Sequence, residues 1–208
     1  VGMLALAIVA GAATWVIMPQ LWILGAVGGF ILGLVNTFKK EPSPLLISLY
    51  AVFEGMLLGG ISRYYEAVFD GIVLQAVCAT LAVFCTVLLL FRSGKIRASG
   101  KATRIFLVAL GGYMLFSLIN CVLVWTGVVD NFGAYSATYK GFPIGAIISV
   151  LAVLLASYSF VLDFDSIKNG VQRGAPAKFA WTAAFGLLMT LIWLYLELLR
   201  LLAILRDS

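Results

Sequence analysis

The sequence predicts an all-α fold, a polytopic membrane protein made of a seven-transmembrane-helix bundle. Three observations lead there. Of the 208 residues, 63% are hydrophobic and 11% charged, with a mean hydropathy of +1.10, whereas a soluble domain carries about 25% charged residues. The apolar residues arrive in long runs instead of amphipathic stripes, and a helix needs about 20 of them to cross a bilayer. Most of the Lys and Arg residues fall in the short breaks between runs.

Taken in order, the spans are about 1–18, 21–38, 44–62, 71–91, 104–127, 143–162 and 179–204. The first opens at Val1 without an initiator Met, which reads as a trimmed N-terminus. It continues to about Met18 and reads as a spanning helix rather than the short apolar core of a signal peptide. Pro19-Gln20 ends it, and Lys39 to Pro44 separates the second and third spans. Arg63 to Gly71 closes the third, and the basic stretch Arg92 to Arg104 follows the fourth. Trp125 to Phe142 is a longer polar and aromatic loop, and Asp163 to Lys178 is the last connection. Without a soluble segment, low-complexity tract or long internal repeat, residues 1–208 read as a single transmembrane domain.

Charge sets the expected orientation. The loops after the second, fourth and sixth spans hold Lys39, Lys40, Arg92, Lys95, Arg97, Lys101, Arg104, Lys168, Arg173 and Lys178. The opposite side has Arg63, Lys140 and Arg206. The positive-inside rule then places the N-terminus in the cytoplasm and the C-terminus outside. The net charge of +5 is thus a topology signal and not a nucleic-acid groove.

Composition also removes chemistries. The chain has no histidine, so His-ligated metal sites and Ser-His catalysis are excluded. Cys78, Cys85 and Cys121 lie inside apolar runs without paired spacing and read as small buried hydrophobes. Leu162-Asp163-Phe164-Asp165 lacks the glycine-flanked aspartate of a two-aspartate intramembrane protease, and there is no P-loop or dinucleotide-binding turn. The expectation is a protein that is not an enzyme and carries no cofactor. Gly25, Gly29 and Gly33 in the second span, and Gly55 and Gly59 in the third, have GxxxG spacing, which predicts close packing of those two helices.

Four acidic residues sit within, or at the edge of, spanning runs: Glu54, Asp163, Asp165 and Glu197. A carboxylate at membrane depth costs about 2.5 kcal/mol or more, so it faces a partner or water. Glu54 lies about ten residues into its span with no basic neighbour in sequence, and is the candidate for the ion pathway. Asp163, about 20 residues after Pro143 and some 30 Å along a helix, is expected at the cytoplasmic end. Asp165 is turned about 200° from it, so one at most faces the interior. Glu197 has Arg200 three residues on, placed for an intrahelical ion pair. Each of the four also has a purely structural reading as a solvated, paired or neutral hydrogen-bonded group.

Several stretches together resemble the Bax inhibitor-1, or transmembrane Bax inhibitor motif, family in a bacterial branch. They are Phe53-Glu54-Gly55 with Leu58-Gly59-Gly60-Ile61-Ser62-Arg63, Leu162-Asp163-Phe164-Asp165-Ser166-Ile167, and Leu194-Tyr195-Leu196-Glu197 running into Leu198-Leu199-Arg200-Leu201-Leu202. The resemblance covers nearly the whole chain. It implies a calcium leak controlled by pH, in a bacterial plasma membrane, with calcium as transported ion. It also implies a latch in which an aspartate on the sixth helix, matched by Asp163, shares a proton with an acid on the seventh. By motif the second position is Glu197; by counting back from the C-terminal Leu-Leu-Arg it is Thr190. The gating set is therefore Asp163, Asp165, Glu197 and Arg200. The alternative class is a non-conducting protein that binds other membrane proteins such as proteases, its carboxylates structural. A third, a proton-coupled solute transporter, would need a substrate-sized pocket.

Overall fold

The computed structural model describes residues 1–39, 41–129, 133–136, 138–139 and 142–207. Among them the chain forms seven α-helices: α1 (Gly2–Ile17), α2 (Trp22–Phe38), α3 (Pro44–Val68), α4 (Ile72–Arg92), α5 (Gly100–Trp125), α6 (Ile144–Gln172) and α7 (Ala180–Asp207). This is the predicted fold class. Six of the seven, α2 counted with the 3-10 turn Pro19–Leu21 that leads into it, are long and apolar enough to cross a membrane, and α1 is apolar but shorter, at 16 residues. The only extended structure among the described residues is a two-residue pair, β1 (Thr138–Tyr139) antiparallel to β2 (Phe142–Pro143), in the α5–α6 connection. Lys40 and Lys140, which the charge bias counts, fall outside the described residues.

Local chemistry sets the helix ends. Pro44 opens α3 with its fixed φ. Ser99 caps α5 by accepting from the Ala102 N–H. Before α4 the chain turns at Gly71, φ +73°, and the Glu66 carboxylate accepts from the N–H groups of Gly71 (2.8 Å) and Val73 (2.9 Å). That satisfies donors a helix start leaves open.

Two boundaries differ from expectation for one reason. The third span, predicted to stop near residue 62, continues to Val68, and the sixth, predicted to stop near 162, continues to Gln172. Hydropathy measures the hydrocarbon a segment can cross, whereas a helix goes on until something breaks it. In α6 the break comes at Arg173-Gly174, with Gly174 at φ +68°. Asp163 and Asp165 are thus inside a 29-residue helix and not in a loop.

Around α3 the packing is glycine-driven. Gly25, Gly29 and Gly33 of α2 are buried against it, and a Cβ at Gly25 would come 2.7 Å from the Phe53 carbonyl oxygen. The predicted α2–α3 contact is therefore present, but of the two GxxxG stripes only that of α2 serves it, with Gly60 of α3 meeting Trp22 at its end. Gly55 and Gly59 of α3 turn instead to α1, where added Cβ atoms would collide with the backbone of Ala7 and Gly11. Helix α3 lies between both partners, so each glycine stripe serves one of them.

The apolar interior has three parts, the smallest formed by Ile72 and Ala76 of α4 with Tyr195, Leu199 and Ala203 of α7. Ile47, Tyr50 and Ala51 of α3 pack with Met3 and Ala7 of α1 and with Phe185, Leu188 and Ile192 of α7. Phe160 and Phe164 of α6 stack near Phe84 of α4 and pack with Leu194 and Leu198 of α7. Outward faces are just as apolar: Leu107, Val108, Met114, Leu115 and Leu118 of α5 are exposed. That is how a protein solvated by lipid tails is organised. The three cysteines are exposed too, which corrects the expectation that they are buried. With hydrocarbon outside, a thiol gains little by moving in.

On the face carrying the α2–α3 and α6–α7 links, Lys178 reaches Glu41 at 2.8 Å, both side chains largely exposed. The ammonium holds the Glu41 carboxyl below its ordinary range. This contribution is present above the unfolded carboxylate value and lost as the pH falls through the lowered one. Exposure and salt keep it small.

The close α2–α3 approach predicts that Gly25→Leu destabilises the protein by about 1–3 kcal/mol, the usual cost of overpacking. Gly111→Leu, where a Cβ would meet nothing within 4 Å, should leave stability unchanged. Denaturant unfolding in detergent micelles distinguishes them, and equal losses would contradict the packing described.

Candidate functional site

Three helices carry the acidic residues, and rise along each gives their depth. Glu54 is ten residues into α3 and Thr190 ten residues into α7, while Asp163 is nine residues before the end of α6. At 1.5 Å per residue all three lie about 14–15 Å from the helix ends on the same face of the bundle. Asp163 was expected at that end itself; the continuation of α6 to Gln172 carries it inward.

Helices α6 and α7 run antiparallel and meet through small and polar side chains. The Thr190 hydroxyl donates to Asp163 Oδ2 at 2.8 Å, and Ser159 Oγ lies 3.4 Å from the same hydroxyl. Gly186, one turn earlier on α7, leaves room for the carboxylate: a Cβ there would stand 3.3 Å from Asp163 Oδ1. Asp165 faces away, as its offset on the helix requires, and accepts from Asn169 Nδ2 of its own helix at 2.9 Å.

Glu54 occupies a different seam. Its carboxyl faces Gly29 of α2, where a Cβ would come 2.8 Å from Oε1. Tyr50, one turn earlier on α3, is the neighbour that interacts with it, and the Tyr50 ring stands edge-on to Phe185 of α7 at 4.8 Å. The small α2 residue that admits the helix thus also makes space for the acid.

Glu197 is handled in another way. It is buried, and Arg200 Nη1 donates to Oε1 at 3.0 Å and to Oε2 at 3.2 Å, the ion pair that the i,i+3 spacing predicts. The Tyr113 hydroxyl of α5 donates to Oε1 as well. The Arg200 guanidinium lies over the Tyr135 ring at 4.6 Å. Glu197 is seven residues beyond Thr190, about 10 Å farther along α7. The α7 group facing Asp163 is therefore Thr190, and the structure does not bring Asp163 and Glu197 together. The four predicted gating residues divide into a hydroxyl-held acid (Asp163), an acid kept on its own helix (Asp165) and an ion pair (Glu197 with Arg200).

Among the described residues the ion pairs are Lys178–Glu41 and Arg200–Glu197, so Glu54 and Asp163 have uncharged partners. A carboxyl so placed exchanges a proton, or meets a passing cation, without first breaking an ion pair. No three His, Cys, Asp or Glu side chains among the described residues gather as metal ligands. Calcium prefers six to eight oxygens, so a single carboxyl with a hydroxyl holds it weakly.

A family model described as Bax inhibitor 1 like matches residues 1–207. The chain belongs to the Bax inhibitor 1 like family. No curated protein matches it. In this family member, Thr190 had been legible only as one of two candidate positions. Gly186, Tyr113 and Tyr135 had no local signal, since a glycine or tyrosine in an apolar run gives no hint of which helix it will face.

Two outcomes follow from this geometry. Thr190→Val removes the donor to Asp163 while keeping the shape, and should cost about 1 kcal/mol, in the range of interhelical hydrogen bonds in membranes; Thr190→Ser should recover most of it in the same unfolding assay. Arg200→Gln leaves Glu197 buried without its cation and should cost about 3–5 kcal/mol. The double variant Glu197→Gln with Arg200→Gln should regain much of that loss, measured by thermal unfolding in detergent.

Proposed function

We propose that this protein is a calcium leak channel whose conduction is set by protonation of carboxyl groups inside the bundle. The observation that carries this reading is the Asp163 carboxyl in the α6–α7 seam, held by the Thr190 hydroxyl and not by a cation. Family membership supports the same reading. In it Asp163 is the proton-sensing group, and Glu54, at equal depth in the α2–α3 seam, lies along the ion path. Asp165, two residues on and bonded to Asn169 of its own helix, contributes to gating from the far side of α6. Glu197 and Arg200, as a locked pair, restrain α7. The protein acts without a cofactor and without enzymatic chemistry, and its partners are the bilayer and the transported calcium.

The proposed setting is a bacterial plasma membrane, with the N-terminus cytoplasmic and the C-terminus outside. Ten Lys and Arg, in the connections after α2, α4 and α6 or on the helix ends that flank them, support that orientation. It puts Asp163 and Glu54 in the cytoplasmic half of the bundle.

Calcium flux into liposomes holding only this protein, from about pH 6 to pH 8, tests the proposal. The wild type is expected to conduct in a pH-dependent way. Asp163→Asn should remove the pH dependence, and Glu54→Gln should reduce flux. Silence from all three, with folding and insertion verified, would overturn the leak reading in favour of a non-conducting protein that binds other membrane proteins.

A further inference from the structure

Away from Asp163, toward the opposite face, a second polar region gathers around Glu197 and Arg200. Helix α5 contributes one stripe of its surface, Tyr113, Phe116, Ser117 and Asn120, at the i, i+3, i+4 and i+7 spacing of a single helix face. Tyr113 donates to Glu197, Phe116 stands edge-on to Tyr135 at 5.5 Å, and Asn120 lies against Gly133. The stripe therefore faces α7 and the 3-10 turn Gly133–Ser136, while Met114, Leu115 and Leu118 are turned outward.

From α6 comes Ser149, which is 0% exposed. Gly145 packs against Ile204, Ser159 against Thr190, and Asp163 against Gly186. The same antiparallel register sets Ser149 level with Arg200. Five serines and threonines in these helices, Thr14, Thr37, Thr80, Thr86 and Ser157, turn back on the carbonyl four residues earlier. The buried hydroxyls of Ser149 and Ser117 do not, and have no hydrogen-bond partner among the described residues. A buried hydroxyl without a protein partner, beside an ion pair, is the usual setting of internal water.

Arg200 also borders a cavity of about 330 Å³ lined by Trp22, Tyr64, Tyr65 and Leu199. Its hydrogen bonds to Glu197 and Tyr113 all come from Nη1. The guanidinium thus stands between the polar region and that cavity.

We propose that Tyr113, Ser117, Ser149, Glu197 and Arg200 line a water-holding chamber inside the bundle, and that Arg200 is the stopper separating it from the cavity at Trp22 and Tyr64. The chamber stands on its own geometry; its place as the outer half of an ion route rests on the leak reading above. A fixed guanidinium at that point repels a divalent cation, and its removal joins the two spaces.

Radiolytic hydroxyl-radical labelling of the wild-type protein in lipid nanodiscs, read by mass spectrometry, tests the chamber without any flux. Tyr113 should be modified at least about tenfold faster than Phe160, because adjacent ordered water is the source of the radical. Phe160 is 0% exposed and sits in an apolar aromatic cluster. Protection of Tyr113 equal to that of Phe160 would overturn the chamber. In liposomes, the Glu197→Gln, Arg200→Gln double variant should conduct several-fold more than the wild type, and unchanged flux would overturn the stopper. Fast labelling with no flux from any variant would sustain the chamber and overturn both the stopper and the leak reading.

Discussion

The antiparallel seam between α6 and α7 is the contact on which the rest of this structure depends. Its register is set by small residues, Gly145 at one end and Gly186 at the other, each facing a bulkier group on the partner helix. Once those two positions are in place, every polar residue along the seam has its counterpart determined. Asp163 receives Thr190, and Ser149 is brought level with Arg200. A slip of one turn would put Asp163 against apolar side chains, where a carboxyl has no donor. Packing therefore decides the electrostatics here.

Lipid solvation explains why this seam matters more than apolar burial does. The outer surface is as hydrophobic as the interior, so burial of Leu or Cys does little to choose one arrangement over another. What separates a good arrangement from a poor one is close backbone approach and partnered polar groups. The glycines of α2 supply the first, against Phe53 and Leu57 of α3. Thr190, Tyr113, Arg200 and Ser62, whose hydroxyl meets that of Tyr195 at 2.7 Å, supply the second.

The buried acids receive two different treatments, and the difference bears on function. Glu197 has a cation, bonded to both of its oxygens, and behaves as a fixed part of the frame. Asp163 and Glu54 have hydroxyl neighbours and glycine-made space. A group of the second kind changes charge at little structural cost, which suits a sensor; one of the first kind resists it, which suits a lock. The acids lie on α3, α6 and α7, with Glu197 about 10 Å from the other two in depth.

Read by itself, the sequence determined the class, the number of helices and which acidic residues lie within apolar runs. Hydrophobic run length answers to bilayer thickness alone, and an acid within such a run is conspicuous wherever it packs. The Glu197–Arg200 pair was legible because three residues on a helix is a local distance, and the opposed directions of Asp163 and Asp165 for the same reason. Only the tertiary structure decided that α6 carries Asp163 well inside the bundle, because a helix ends at Gly174 and not where hydropathy fades. It alone chose Thr190 over Glu197 as the partner of Asp163, turned the glycines of α3 toward α1, and set Tyr113 and Ser149 around Arg200. Those are matters of rotation and register between helices far apart in the chain, and apolar segments of similar composition leave both open until the small residues meet.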